Sequence, residues 1–112
     1  MENGKSYKVR GNVLYVLMPK EVDHHSSREM KADIAEARGK RQITNLVFDF
    51  SKTDFMDSSG IGMILGRYKE MAAVGGAVFV RNVSPRVEKI LEMSGIYRII
   101  REWDSKNEEG DR

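Results

Sequence analysis

Two short apolar runs constrain this chain more than anything else in it. TNLVFDF (44–50) and AVFV (77–80) are rich in β-branched and aromatic residues and too short for helices. A segment with helical spacing follows each. A run such as TNLVFDF, with little polar alternation, reads as a strand buried on both faces. Strands that alternate with helices pair in parallel, because a parallel pair needs a crossover long enough to hold a helix.

The flanking segments fill in this α/β pattern. Ser6 to Arg10 alternates, Gly11-Asn12 is a turn, and VLYVLMP (13–19) is β-rich and stopped by Pro19, so the three predict a hairpin. From Asp23 the spacing becomes helical. Met30, Ile34 and Ala37 form an apolar stripe, and Gly39 is a natural stop. Ser26 with Glu29 makes a capping box, and Asp23 is a second candidate cap. A second helix runs from about Ser58 to Ala73, with Ile61, Ile64, Leu65, Tyr68 and Ala72 on its apolar face and Gly75-Gly76 beyond its end. A third starts with Ser84 at the N-cap and Pro85 at the first helical position, carries Val87, Ile90 and Leu91 inward, and closes at Gly95. IYRIIREW (96–103) reads as a last short strand or turn. The expected architecture is a small mixed sheet of about four to five strands with helices packed on it through right-handed crossovers. Residues 1–103 are expected to form one domain, and the polar stretch DSKNEEGDR (104–112) a disordered tail.

Composition narrows the function classes. A chain of 112 residues suits one domain, and 40% hydrophobic with 32% charged residues gives a modest core under a well-solvated surface. The 19 basic and 17 acidic side chains are interspersed and leave a net charge of +2, so no nucleic-acid footprint stands out. There is no cysteine, which excludes disulfides and thiolate zinc sites. The apolar runs fall far short of the roughly 20 residues a membrane span needs. MENGKSYKVRGN has no apolar core of a signal peptide. A small soluble cytoplasmic domain, without cofactor, is the expectation.

Residues 54–71, DFMDSSGIGMILGRYKEM, carry the candidate site. They sit where a buried strand gives way to a helix, in a loop at the carboxyl end of a parallel strand, where such folds usually work. A serine-hydrolase elbow needs G-x-S-x-G, and no glycine precedes Ser58 or Ser59. A dinucleotide fingerprint would need a third glycine at 65, which is Leu65; a P-loop would need Gly-Lys-Ser/Thr, whereas Gly66 is followed by Arg67. His24 and His25 are adjacent, not four apart, so no paired zinc ligands arise, and they are expected to face solvent or pack at the start of their helix. Capping explains one of Asp57, Ser58 and Ser59, at roughly 1 kcal/mol, but not all three. Gly62 and Gly66 each cost a helix about 1 kcal/mol relative to alanine. Four residues apart, they make a smooth strip against which either an internal strand or an external partner could lie. A serine at a helix N-terminus is open to solvent, and a phosphate of −1.5 to −2 charge would sit at the favourable end of the helix dipole. Phosphorylation there would change surface charge beside Asp57 without unfolding the domain. That chemistry suits a binding switch better than a catalyst.

FMDSSGIGMILGRYKEM, with VDHHSS before it and MSGIYRIIR after it, closely resembles the anti-sigma factor antagonists of the sulphate transporter and anti-sigma antagonist (STAS) family, in particular their sporulation branch. The likeness spans about residues 6–101. It implies a non-enzymatic partner switch. The unphosphorylated antagonist binds an anti-sigma factor that is also a serine kinase and so frees the sigma factor. The kinase phosphorylates Ser58, which ends binding, and a serine phosphatase resets the protein. The same match places Asp23, Met56, Asp57, Ser59, Gly60 and Gly62 at the docking surface, with no metal, membrane or direct nucleic-acid contact. Family members usually end in a further apolar helix, for which 104–112 offers no apolar residue. A STAS scaffold in another signalling or transport complex is the alternative, and a small hydrolase using Ser58 or Ser59 a third.

Overall fold

The computed structural model describes residues 6–104. The expected tail beyond Asp104, and the first five residues of the expected domain, lie outside them. Strands β1 (Tyr7–Arg10) and β2 (Val13–Leu17) form the antiparallel hairpin across Gly11-Asn12. β2 ends at Leu17, two residues before Pro19, though Met18 N–H still bonds the Asp49 carbonyl at 2.8 Å. Next come β3 (Glu21–Val22), helix α1 (His24–Lys40), β4 (Asn45–Asp49), β5 (Phe55–Met56) and helix α2 (Ser58–Ala73). The chain then forms β6 (Ala77–Arg81), helix α3 (Pro85–Ser94), a 3-10 turn (Ile96–Arg98) and β7 (Arg101–Glu102).

The main sheet has five strands in the order β1-β2-β4-β6-β7, parallel throughout except for the hairpin. IYRIIREW thus splits into a turn and a two-residue strand. β4 lies at the centre, and Leu46, Val47 and Phe48 are each fully buried, which is why that segment lacks polar alternation. Leu14, Val16, Phe48 and Val80 join the core formed with Met30, Ile34, Ile64, Met71, Val87 and Leu91 of the three helices. Residues one position out of phase, Val13, Tyr15 and Val47, make a second cluster on the opposite face. Trp103 packs there edge-on against Tyr15 and Phe79, with ring centroids 6.0 and 4.9 Å away.

Three sequence expectations need correction. Gly39 does not stop α1, which runs on to Lys40 and is capped by Arg41, its N–H bonded to the Ala37 carbonyl. α2 has the predicted span, but its buried face is Gly60, Met63, Ile64 and Met71. Leu65 and Ala72 face solvent, while Ile61 and Tyr68 are half-buried. The apolar stripe was set about one residue too late because a glycine, Gly60, is the first buried position. On α3, Val87 and Leu91 are buried and Ile90 only half so. There the rest of the pattern holds: Ser84 caps through Val87 N–H, and Gly95 takes the left-handed conformation at φ 78°.

Candidate functional site at two helix mouths

A second, two-stranded sheet builds the site. β3 and β5 pair in parallel, Glu21 with Phe55 and Val22 with Met56. Two residues per strand are too few for a periodicity signal, so this sheet is invisible in the sequence. The loops after β2 and β4 are stitched together along their length. The buried Thr53 hydroxyl donates to the Pro19 carbonyl at 2.8 Å, and Asp54 N–H to the Lys20 carbonyl at 2.8 Å. Asp57 N–H then bonds the Val22 carbonyl at 3.0 Å. Two helix N-termini far apart in sequence are thereby set side by side.

Below this stitching Asp49 anchors the loop after β4. Its carboxylate accepts from Ser51 N–H at 2.9 Å, Arg81 Nε at 3.0 Å and Asn82 Nδ2 at 3.2 Å. Burial pushes the Asp49 carboxyl up, but these hydrogen bonds outweigh it and hold the group below the usual carboxylate range. Arg81 also lies over the Tyr15 ring, 4.5 Å from its centroid.

Each helix mouth is closed by an aspartate. Asp23 caps α1, accepting from Ser26 N–H at 2.9 Å, while the Ser26 hydroxyl accepts from Asp23 N–H at 3.0 Å. The capping box is therefore Asp23 with Ser26 at N3; Ser26 is not the cap, and Glu29 instead pairs with His25 at 2.8 Å. The hydrogen bonds from Ser26 lower the pKa of the exposed Asp23 carboxylate. Asp57 caps α2, accepting from Ser59 N–H at 2.8 Å. With the cap supplied by Asp57, Ser58 at the first helical position is structurally spare. It is exposed, and its hydroxyl has no hydrogen-bond partner among the described residues.

The expected docking residues divide by depth. Asp23 and Ser58 are exposed, and Asp57 and Ser59 half-exposed, around the paired mouths. Met56 and Gly60 are buried, so they lie beneath the mouths and not on their exposed rim. A Cβ on Gly60 would overlap Met56 Cγ and lie 2.6 Å from Met56 Sδ and 2.8 Å from Val22 Cγ1. Gly60 is thus the point where α2 presses on the β3–β5 ladder, and it sets the height of the site rather than its outer face. Phe55 beside them is an exposed apolar side chain outside the expected docking residues.

Gly62 and Gly66 do not lie under a strand. A Cβ on either meets nothing within 4 Å. They floor an open groove of about 470 Å³ between α1 and α2, with His24, Ser27, Arg28, Lys31, Ser59 and Arg67 also on its walls. His24, Arg28 and Lys31 stand on one face of α1 at helical spacing, a basic pattern that the sequence carries. Both histidines are exposed, and no described hydrogen bond links either to Ser58 or Ser59; the His24 ring instead meets Arg28 Nη2 at 3.4 Å. The hydrolase reading thus gains no base. Among the described residues no cluster of three or more His, Asp or Glu is placed to hold a metal, and no helix is long and apolar enough to cross a membrane.

Comparison with known proteins agrees with this geometry. The STAS domain pattern matches residues 5–109. The anti-sigma F factor antagonist of Paenibacillus polymyxa is 40% identical over 94 residues, covering 84% of this chain and 80% of that protein. The solved structure of the anti-sigma factor antagonist SpoIIAA in its unphosphorylated form superposes with a TM-score of 0.77 at 29% identity, covering 90% of this chain and 89% of that one. The Bacillus cell fate determinant SpoIIAA in its phosphorylated form gives 0.70 at 28% identity, over 95% and 99% of the two chains. With three helices on a five-stranded mixed sheet and a STAS pattern matched over residues 5–109, the chain belongs to the STAS domain family.

Proposed function

We infer that this chain is an anti-sigma factor antagonist, a regulatory binding protein rather than an enzyme, built as one STAS domain over residues 1–103. In its unphosphorylated form it binds an anti-sigma factor with serine kinase activity and releases the sigma factor. Phosphorylation of Ser58 ends binding, and a serine phosphatase restores it. The work is done in the cytoplasm, without nucleic-acid or membrane contact. Asp23, Asp57 and Ser59 meet the partner, while Met56, Gly60 and Gly62 shape the ground beneath it.

The observation that carries this reading is the spare Ser58 hydroxyl at the first turn of a helix already capped by Asp57. A phosphate there gains from the helix dipole, so the fold tolerates it. It also adds −1.5 to −2 charge beside two capping carboxylates, which a docked partner must meet. The likeness to a protein solved in both phosphorylated and unphosphorylated forms supports the same switch. Incubation with the cognate anti-sigma kinase and ATP, followed by phosphate mapping by mass spectrometry, tests it. Phosphate on Ser58 is expected; phosphate elsewhere, or none, would sink the assignment.

A further inference from the structure

The groove between α1 and α2 carries chemistry that the phosphorylation switch does not use. α1 lines it with His24, Arg28 and Lys31, α2 adds Arg67, and no carboxylate lines it. Neither Arg28 nor Lys31 pairs with an acid among the described residues. Arg67 does meet Glu70, at 3.0 Å, but that same carboxylate oxygen also takes Arg38 Nη1 at 3.0 Å. One negative charge thus serves two guanidiniums, and the groove keeps a positive excess. On the α1 wall the Ser27 side chain is 95% buried (5% exposed), and its hydroxyl has no hydrogen-bond partner in the described structure. Gly62 and Gly66 leave the α2 backbone bare, so an incoming group can descend between the helices.

The layout of the charges favours one kind of occupant. From His24 to Lys31 the basic residues spread over about 10 Å of helix, at 1.5 Å per residue. A single phosphate would want donors that converge on one point. A row suits an extended segment with more than one carboxylate, each able to form charge-assisted hydrogen bonds. The groove opens at Ser59, beside Ser58. A Ser58 phosphate would stand at its head and repel an acidic segment lying in it, more weakly as salt screens the charges. We propose that the α1–α2 groove receives an acidic segment of the anti-sigma partner, held by Arg28, Lys31 and Arg67. Electrostatic rejection of that segment then gives the Ser58 phosphate its leverage. The inference rests on the antagonist reading above.

The test is the affinity of unphosphorylated protein for its cognate anti-sigma factor across a salt series. Arg28→Glu with Lys31→Glu should weaken binding about tenfold to a hundredfold and flatten the salt dependence, while Arg28→Lys should stay within about threefold of wild type. Both reversed side chains are exposed, and a matching thermal midpoint checks that the variant is folded. Wild type that binds tightly, with a reversal variant that binds equally well, would overturn the groove and leave the antagonist reading standing. Wild type that does not bind at all overturns both. A third arm follows groove amides by NMR as inorganic phosphate is added. Saturation at low millimolar phosphate would assign the groove to a small anion and overturn the proposal; no saturation supports it.

Discussion

Alanine at Gly60 and alanine at Gly62 should change stability in opposite directions, though both lie in the same helix two residues apart. A Cβ at position 60 would overlap Met56 Cγ and sit 2.6 Å from Met56 Sδ and 2.8 Å from Val22 Cγ1. Neither neighbour can yield cheaply. Met56 is 2% exposed, Val22 is fully buried, and both belong to the β3–β5 ladder. Forcing a methyl into such packing costs about 1–3 kcal/mol. The gain in helix propensity, about 1 kcal/mol, offsets part of it. A net loss of up to about 2 kcal/mol would lower the melting midpoint by up to roughly 15 °C for a domain of this size. Position 62 is exposed, and its added Cβ meets nothing within 4 Å. Only the propensity term remains there, so Gly62→Ala should stabilise by about 0.5–1 kcal/mol. Urea unfolding followed by circular dichroism reads both variants against wild type, with m-values checked for a two-state transition. A Gly60→Ala protein as stable as wild type, or a destabilised Gly62→Ala, would refute the assignment of Gly60 to packing and Gly62 to open groove.

Other consequences are simpler. Ser58→Ala should hold anti-sigma binding, lose the response to kinase and ATP, and shift stability by no more than about 0.5 kcal/mol, since Asp57 supplies the cap; binding and melting curves check this. Ser58→Asp should weaken binding less than phosphate does, because it brings one charge in place of nearly two, as calorimetry would show. Asp57→Ala should cost about 1 kcal/mol by removing the 2.8 Å bond to Ser59 N–H, read by chemical denaturation. The depressed Asp49 carboxyl adds stability above about pH 4, and that contribution fades as pH falls through its lowered folded-state value. Asp49→Asn should therefore be less stable at neutral pH and show a flatter acid limb in stability measured from pH 7 to 2.

Much of this protein could be read from residue order alone. The strand TNLVFDF lacks polar alternation because the central strand is covered on both faces, and that is a one-dimensional signal. The spans of α2 and α3 follow from local caps, Asp57, Ser84 and Gly95, whose hydrogen bonds join near neighbours. A serine at this helix mouth is legible from the residues, whereas Ser58 rather than Ser59 as the phosphorylated one follows from the family resemblance that covers the motif. Less could be read where the partner is distant. Asp23 won over Ser26 as the cap of α1 only once β3 fixed where the helix begins. The stripe on α2 was misplaced because a glycine carries no hydrophobic signal, although Gly60 is the closest packed residue on that helix.

Local pattern thus determined the three helices, the longer strands and the serine at the helix mouth, since each depends on residues within a turn or two of one another, and the alternation of strands with helices implied parallel crossovers. Tertiary structure alone decided the rest. It showed that the two-residue β3 and β5 join, that they bring Asp23 and Asp57 together across 34 residues of chain, and that Met56 and Gly60 lie under the site. It also opened the glycine strip of α2 onto the basic face of α1. No periodicity within either helix encodes that meeting. It arises because both helices must bury their apolar faces on one side of the same sheet, and their remaining faces are left to form a groove.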